Sequence, residues 1–180
     1  MSADKSIRVF EGILSPIKCQ RMIDLVESRK QLESHKNPAV ALITILSKDE
    51  PTLSKDYDFT VMDKELYNVF NEAIREYIKG FNSLAINNDQ GYAFLRHEKG
   101  DNFNYHHDGS NRAVSAILGL NDDYEGGEID FEHVDQVYKL KKGDMILFPS
   151  SYPFAYRLKS VTGGTRYSVV TWFIEQDRVV

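Results

Sequence analysis

The chain has 180 residues, 42% hydrophobic and 12% aromatic, long enough to bury roughly 70% of the surface its unfolded form exposes. A formal net charge of −5 excludes a broad basic surface for wrapping nucleic acid, and a single cysteine, Cys19, excludes an internal disulfide or a thiolate zinc cluster. No stretch reaches the ~20 apolar residues of a membrane span, and "MSADKSIRVFEGILS" lacks the basic start and apolar run of a signal peptide. A soluble, cytoplasmic protein is expected, with neither nucleic acid nor membrane as partner.

The first element predicted is a short strand, Ile7–Phe10, which turns at Gly12 into a helix. Ser15 suits the N-cap and Pro16 the first helical position, where a missing N–H costs nothing. Ile17, Met22, Ile23 and Val26 give that helix one apolar face. A second helix is predicted through "DKELYNVFNEAIREYIKGF", with Leu66, Val69, Phe70, Ala73, Ile74, Tyr77 and Ile78 as its stripe and Gly80 as its stop. The stretch between the helices mixes a short apolar run with polar loop, and Leu46–Asp58 reads as a substrate-covering loop flanking a rigid core.

From about Tyr92 the pattern changes. Short apolar runs ("GYAFLRH", "AVSAILGL", "GEIDFEH", "VYKL", "DMILFP", "FAYRLK", "RYSVVTWFIE") alternate with Gly/Asp/Asn-rich turns. About eight such strands predict a sandwich or jelly roll. "DYEGGEIDF" lacks the alternating ligands of a calcium loop and reads as a hairpin turn at Gly126 and Gly127. Lys139, Lys141 and Lys142 read as a solvated turn. The class expected is mostly β with N-terminal helices (α+β), one domain over 1–180, helical to about residue 90 and β from about 91.

Within "NFNYHHDGS", His106 and Asp108 are two residues apart, so on a strand they share a face while His107 points away. One imidazole and one carboxylate supply two corners of a facial triad, whose open positions suit non-haem Fe(II). Gly100, Phe103, His106 and Asp108 form the pattern G-x-x-F-x-x-H-x-D. It is followed by "AVSAILGLNDDYEGGEIDF" and "LKKGDMILFPSSYPFAYRLKSVTGGTRYSVVTWF". In this order, from about Tyr92 to Phe173, the motifs resemble the Fe(II)- and 2-oxoglutarate-dependent dioxygenases of the prolyl 4-hydroxylase type, and "IRVFEGILSPIKCQRMIDLVE" resembles the opening of such domains.

The resemblance implies a double-stranded β-helix (jelly roll) with helices on one side. It also implies Fe(II) held by His106, Asp108 and a distal histidine, and 2-oxoglutarate chelating the iron with its far carboxylate on Arg166. Ser168 lies at strand spacing from Arg166 and would share the grip, since a guanidinium holds a carboxylate bidentately. O2 and 2-oxoglutarate would be consumed, succinate and CO2 released, and an unactivated C–H bond hydroxylated, with a prolyl residue of a peptide or protein as target. Trp172, six residues after Arg166, reads either as a wall of the substrate pocket or as a core aromatic.

The chain departs from the family pattern at two places. The distal histidine is due about ten residues before Arg166, where Tyr156 stands, and no histidine follows His133. A tyrosine near the 2-oxoglutarate carboxylates is due nine residues before the first ligand, where His97 stands. Three readings follow: Tyr156 ligates iron as phenolate; His97 moves in as the missing imidazole; or the site is degenerate and the domain is a non-catalytic jelly-roll binding protein. The expected function is the dioxygenase, and the binding protein is its alternative.

Overall fold

A computed structural model describes residues 5–28, 35–37, 40–45, 57–81, 84–109 and 111–175. The N-terminal elements are the strand β1 (Arg8–Phe10) and the helix α1 (Pro16–Ser28). Cys19, Met22, Ile23 and Val26 of α1 are buried. Ile17 is 72% exposed, a correction to the expected stripe. Its place is taken by Cys19, which shares a face with Met22, Ile23 and Val26 at i, i+3, i+4 and i+7. The second helix, α2 (Tyr57–Ile78), starts six residues before the predicted segment. Its buried stripe is Leu66, Phe70, Ala73, Ile74 and Tyr77, with Val69 and Ile78 half-buried at the margin.

Between the helices the unplaced apolar run forms two strands, β2 (His35–Asn37) and β3 (Val40–Ile45). Of the segment read as a substrate-covering loop, residues 46–56 lie outside the described residues, and Tyr57 and Asp58 open α2.

Eleven strands follow: β4 (Ile86–Asp89), β5 (Tyr92–His97), β6 (Phe103–His106), β7 (Arg112–Gly119), β8 (Glu125–Gly126), β9 (Ile129–Phe131), β10 (Gln136–Tyr138), β11 (Met145–Pro149), β12 (Tyr156–Leu158), β13 (Val161–Gly163) and β14 (Arg166–Glu175). The major sheet runs β1-β11-β7-β14-β5-β3-β2, with β4 also on β14. A smaller sheet runs β10-β9-β12-β6, and β13 pairs with β8. All described pairings are antiparallel. This is the mostly-β, helices-first jelly roll that the turn spacing predicts.

Strand alternation divides the major sheet into two working faces. Phe94, Ala116, Leu118, Val169 and Phe173 meet the helices, in one core with Met22, Leu66 and Phe70. From the same strands, Ile117 and Val170 face a second core against the smaller sheet, with Phe131, Phe148 and Tyr156. The residues that carry chemistry all belong to this second face.

Gly126 and Gly127 have φ of 70° and 65°, but they do not close the expected hairpin. β8 pairs with β13, whereas β9 pairs with β10 and β12. The two left-handed residues carry the chain from one sheet to the next. A Cβ on Gly126 would sit 2.2 Å from the Ser160 carbonyl oxygen, so only glycine permits this backbone approach.

Phe131 is the keystone of the second core. It is 2% exposed, with ring centroids 5.0 Å from Phe148, 5.9 Å from Tyr138 and 6.0 Å from Tyr156. Phe131→Ala is expected to cost about 3–5 kcal/mol in urea unfolding, from lost transfer energy plus a cavity that three rigid rings cannot close. A loss under 1 kcal/mol would show that the two sheets are not packed through this residue.

Candidate active site

The last strand sets the geometry. Arg166, Ser168, Val170 and Trp172 alternate along β14 and line one cavity between the sheets, as their spacing predicts. Leu95 and His97 enter from β5, and Phe103 and His106 from β6. Asp108, Ile117, Ile129, Tyr156 and Leu158 complete the wall. Its volume of about 120 Å³ suits a small organic acid, well below the roughly 300 Å³ at which pockets for drug-sized ligands begin.

At one end lies Arg166, 3% exposed. Its Nη1 donates to Ser168 Oγ at 2.8 Å, the Tyr124 hydroxyl is close enough to accept from the guanidinium, and Nε is buried without a partner among the described residues. No described carboxylate pairs with this guanidinium, and burial holds its pKa below the usual arginine value. An uncompensated cation in a dry cavity is costly, and a carboxylate is the partner that a guanidinium fork matches best. Gly127 makes room for it: with φ +65°, a Cβ there would stand 3.1 Å from Arg166 Cδ and 3.1 Å from the Tyr124 ring.

His97 faces Arg166 directly across the β5–β14 ladder. It is fully buried, and both ring nitrogens lack a partner. Burial, and then the Arg166 charge, push its pKa down to about 3, so the imidazole is neutral at physiological pH. It can therefore offer a hydrogen bond to an anion on Arg166. His97 packs edge-on to Phe103 at 6.1 Å, and Phe103 in turn lies 5.5 Å from His106. His97 thus stands at the arginine end, with Phe103 in contact with both imidazoles.

This depressed pKa fixes a pH dependence. The unfolded chain protonates His97 near 6.5 while the folded chain does so only near 3, so between these values the unfolded state binds more protons and stability falls as pH falls. Each unit below 6.5 should remove about 1.4 kcal/mol on this residue's behalf. Urea unfolding of His97→Gln between pH 4 and 6.5 should show a shallower pH slope than the native chain. Parallel slopes would mean that His97 is protonated in the folded protein.

At the other end, β6 stops at His106, so Asp108 lies just beyond the strand rather than on it. The two nevertheless converge, with His106 Nε2 3.8 Å from Asp108 Oδ1. His106 Nδ1 donates to the Asn104 carbonyl at 2.9 Å, which leaves the Nε2 lone pair facing the carboxylate side. Asp108 Oδ2 accepts from Ser115 at 2.6 Å and from Tyr156 at 3.2 Å, and Ser115 is linked to Ser150 at 2.8 Å. Among the described residues, Oδ1 accepts no hydrogen bond. His107 lies outside this cluster, edge-on to Tyr152.

Tyr156 sits opposite His106 in the β12–β6 register, with ring centroids 4.6 Å apart. Burial, and then the Asp108 charge, hold its pKa well above the ordinary tyrosine value. Its hydroxyl is a neutral donor to Asp108. As a donor set, His106 Nε2 and Asp108 Oδ1 fit a divalent cation at two corners. No third His, Cys, Asp or Glu joins them among the described residues.

Trp172 lines the same cavity with its Nε1 buried and unpartnered. The Arg112 guanidinium stacks 3.8 Å from its ring centroid and donates from Nε to Gln90 Oε1 at 2.7 Å. Sequence reasoning missed Arg112, Ser115, Ser150 and Tyr124. Ser115 was legible in principle, since it precedes Ile117 by two on the cavity face of β7. The others reach the site through turns and cross-strand contacts that no local spacing encodes.

A family model described as the 2OG-Fe(II) oxygenase superfamily matches residues 91–174, which hold every one of these groups except Gln90. A PKHD-type hydroxylase of Rippkaea orientalis is 35% identical over 91 residues, covering 44% of this chain and 40% of that protein. Human prolyl 3-hydroxylase 2 is 42% identical over 67 residues, covering 34% and 10%. The chain thus matches less than half the length of these relatives. In fold, it is similar to the viral collagen prolyl hydroxylase of Paramecium Bursaria Chlorella virus-1, with TM-score 0.73, 18% identity and coverage of 98% of this chain and 100% of that one. It is also similar to a Pseudomonas putida prolyl-4-hydroxylase, with TM-score 0.71, 17% identity and coverage of 97% and 95%.

Proposed function

We propose that this chain, which belongs to the 2OG-Fe(II) oxygenase superfamily, binds 2-oxoglutarate in the cavity between its sheets and hydroxylates an unactivated C–H bond, with a prolyl residue of a peptide or protein as target. The observation that carries the reading is Arg166, a buried guanidinium with a free Nε and no carboxylate partner among the described residues, in one cavity with His106 and Asp108. The names of its relatives support a prolyl target.

Each residue then has a task. Arg166 and Ser168 hold the far carboxylate of 2-oxoglutarate, and neutral His97 adds a hydrogen bond. Leu95, Ile117 and Val170 keep that end dry, which strengthens the charge pairing. His106 and Asp108 hold the metal, with Ser115 and Tyr156 fixing the carboxylate so that Oδ1 is presented. Trp172, braced by Arg112, walls the side where a substrate enters. Bound Fe(II) supplies the redox chemistry by which O2, 2-oxoglutarate and a C–H bond give the alcohol, succinate and CO2.

A second reading rests on the Tyr156–Asp108 hydrogen bond, which fills the distal ligand position with a neutral phenol. In that reading the domain binds a 2-oxo acid without turning it over. Succinate release from Fe(II)-loaded protein, with and without proline-containing peptides, separates the two. Release that exceeds a His106→Ala control supports the oxygenase. Background release, with metal affinity unchanged in His106→Ala, would leave the binding module.

A further inference from the structure

We infer that the acid enters this cavity together with one proton, and that His97 is the residue that takes it up. This rests on the 2-oxoglutarate reading of the cavity.

The placement of His97 carries the inference. The side chain is fully buried and lines the cavity, and the β5–β14 register sets it directly opposite Arg166. Both ring nitrogens lack a hydrogen-bond partner among the described residues. No described carboxylate pairs with either His97 or Arg166, so a charged imidazole in the empty site would be a second uncompensated cation beside the first. The tyrosine that the family pattern places here would donate a hydrogen bond and, with an ordinary pKa of about 10, gain no positive charge. An imidazole can do both. The proton is thus a property of this chain's own departure from the pattern.

Two causes keep the imidazole of the empty site neutral, burial first and the Arg166 charge second. A carboxylate seated on Arg166 acts against both. Its charge offsets that of the guanidinium, and its oxygen accepts from the ring, a bond that is stronger when the ring is charged. Arg166 is the one charge that acts on His97 among the described residues. From β6, Phe103 lies against the rings of both His97 and His106. Tyr124 reaches the guanidinium, Asp108 and Tyr156 line the same cavity, and β3 sets the uncharged Ala41 and Leu42 beside β5. The free protein leaves His97 unprotonated down to about pH 3, whereas the complex protonates it at higher pH. Between those points the complex holds one proton more than its parts, so acid affinity rises as pH falls, by at most about tenfold per unit.

The test is calorimetric titration of 2-oxoglutarate into Mn(II)-saturated, full-length protein under nitrogen, from pH 7.5 to 5.5. Two buffers of different ionisation enthalpy at each pH count the protons taken up. The control is His97→Gln, which keeps a hydrogen-bond donor and cannot become a cation, while the groups of the metal end titrate alike in both proteins. The native protein is expected to take up a growing fraction of a proton as pH falls, and to gain about tenfold in affinity over the variant across the range. Parallel profiles with equal proton counts would overturn the inference and leave the 2-oxoglutarate site standing. If His97→Gln does not fold, NMR of the native protein in Zn(II) answers instead, with the His97 ring identified by its contact with Phe103. That ring should stay neutral at pH 5.5 without the acid and gain charge with it. A ring neutral in both states would overturn the inference. Absence of 2-oxoglutarate binding at every pH would overturn it together with the reading beneath it.

Discussion

Arg166→Met is expected to weaken 2-oxoglutarate binding about 100-fold while leaving the ligand-free protein as stable as before, or more so. The two halves have one cause. Hydrogen bonds to a charged partner contribute about 1.5–3 kcal/mol each, and losing a two-pronged grip removes about 3 kcal/mol, or two decades of affinity. In the ligand-free state the same guanidinium is buried with a free Nε and no described carboxylate partner. A methionine of similar length removes that desolvation cost. Against the gain stand the Ser168 and Tyr124 contacts, at about 1.5–3 kcal/mol each, which a desolvation penalty of several kcal/mol for the buried ion offsets. Calorimetry and thermal unfolding on the same preparation decide it. Unchanged affinity, or a stability loss of core-deletion size, would show Arg166 to be structural.

Tyr156→His is expected to raise the Mn(II) affinity of ligand-free protein by at least about tenfold, since loss of a mere outer partner of a metal ligand already costs 10–100-fold. The substitution exchanges a neutral phenol for an imidazole opposite His106 and removes the proton that Tyr156 directs at Asp108 Oδ2. Tyr156→Phe separates the parts, because it removes the hydroxyl alone and Asp108 keeps its bond from Ser115. Near-native Mn(II) affinity is expected there. If instead Tyr156→Phe abolishes metal binding, and oxidised native protein shows a phenolate-to-iron absorption band that the variant lacks, Tyr156 is itself a ligand.

The fold was legible where one period dominates. Leu66, Phe70, Ala73, Ile74 and Tyr77 mark α2, and Gly/Asp/Asn turns mark the strands from Tyr92 onward. What stayed hidden depends on partners distant in sequence. The run at Val40–Ile45 is too short to tell strand from helix until it pairs with β5, and Gly126–Gly127 reads as a hairpin until β8 pairs with β13 instead.

The site was legible to the same extent. Arg166, Ser168 and Trp172 fall on one face by simple alternation, and His106 and Asp108 converge although Asp108 has left its strand. The fate of Tyr156 was not readable. Whether a phenol ligates or donates depends on the carboxylate 48 positions earlier in the chain that it meets. His97 likewise had a second reading, as a metal ligand. The β5–β14 register sets it opposite Arg166 instead, where burial and the guanidinium keep it uncharged.

The most direct measurement is a crystal structure of the protein grown without oxygen in Mn(II) and 2-oxoglutarate. The expected density shows one carboxylate of the acid within hydrogen-bond reach of Arg166 Nε and Ser168 Oγ. It also shows an anomalous manganese peak bounded by His106 Nε2 and Asp108 Oδ1, with the acid in contact with the metal. An empty cavity at saturating ligand, or an acid bound away from Arg166, would contradict the assignment.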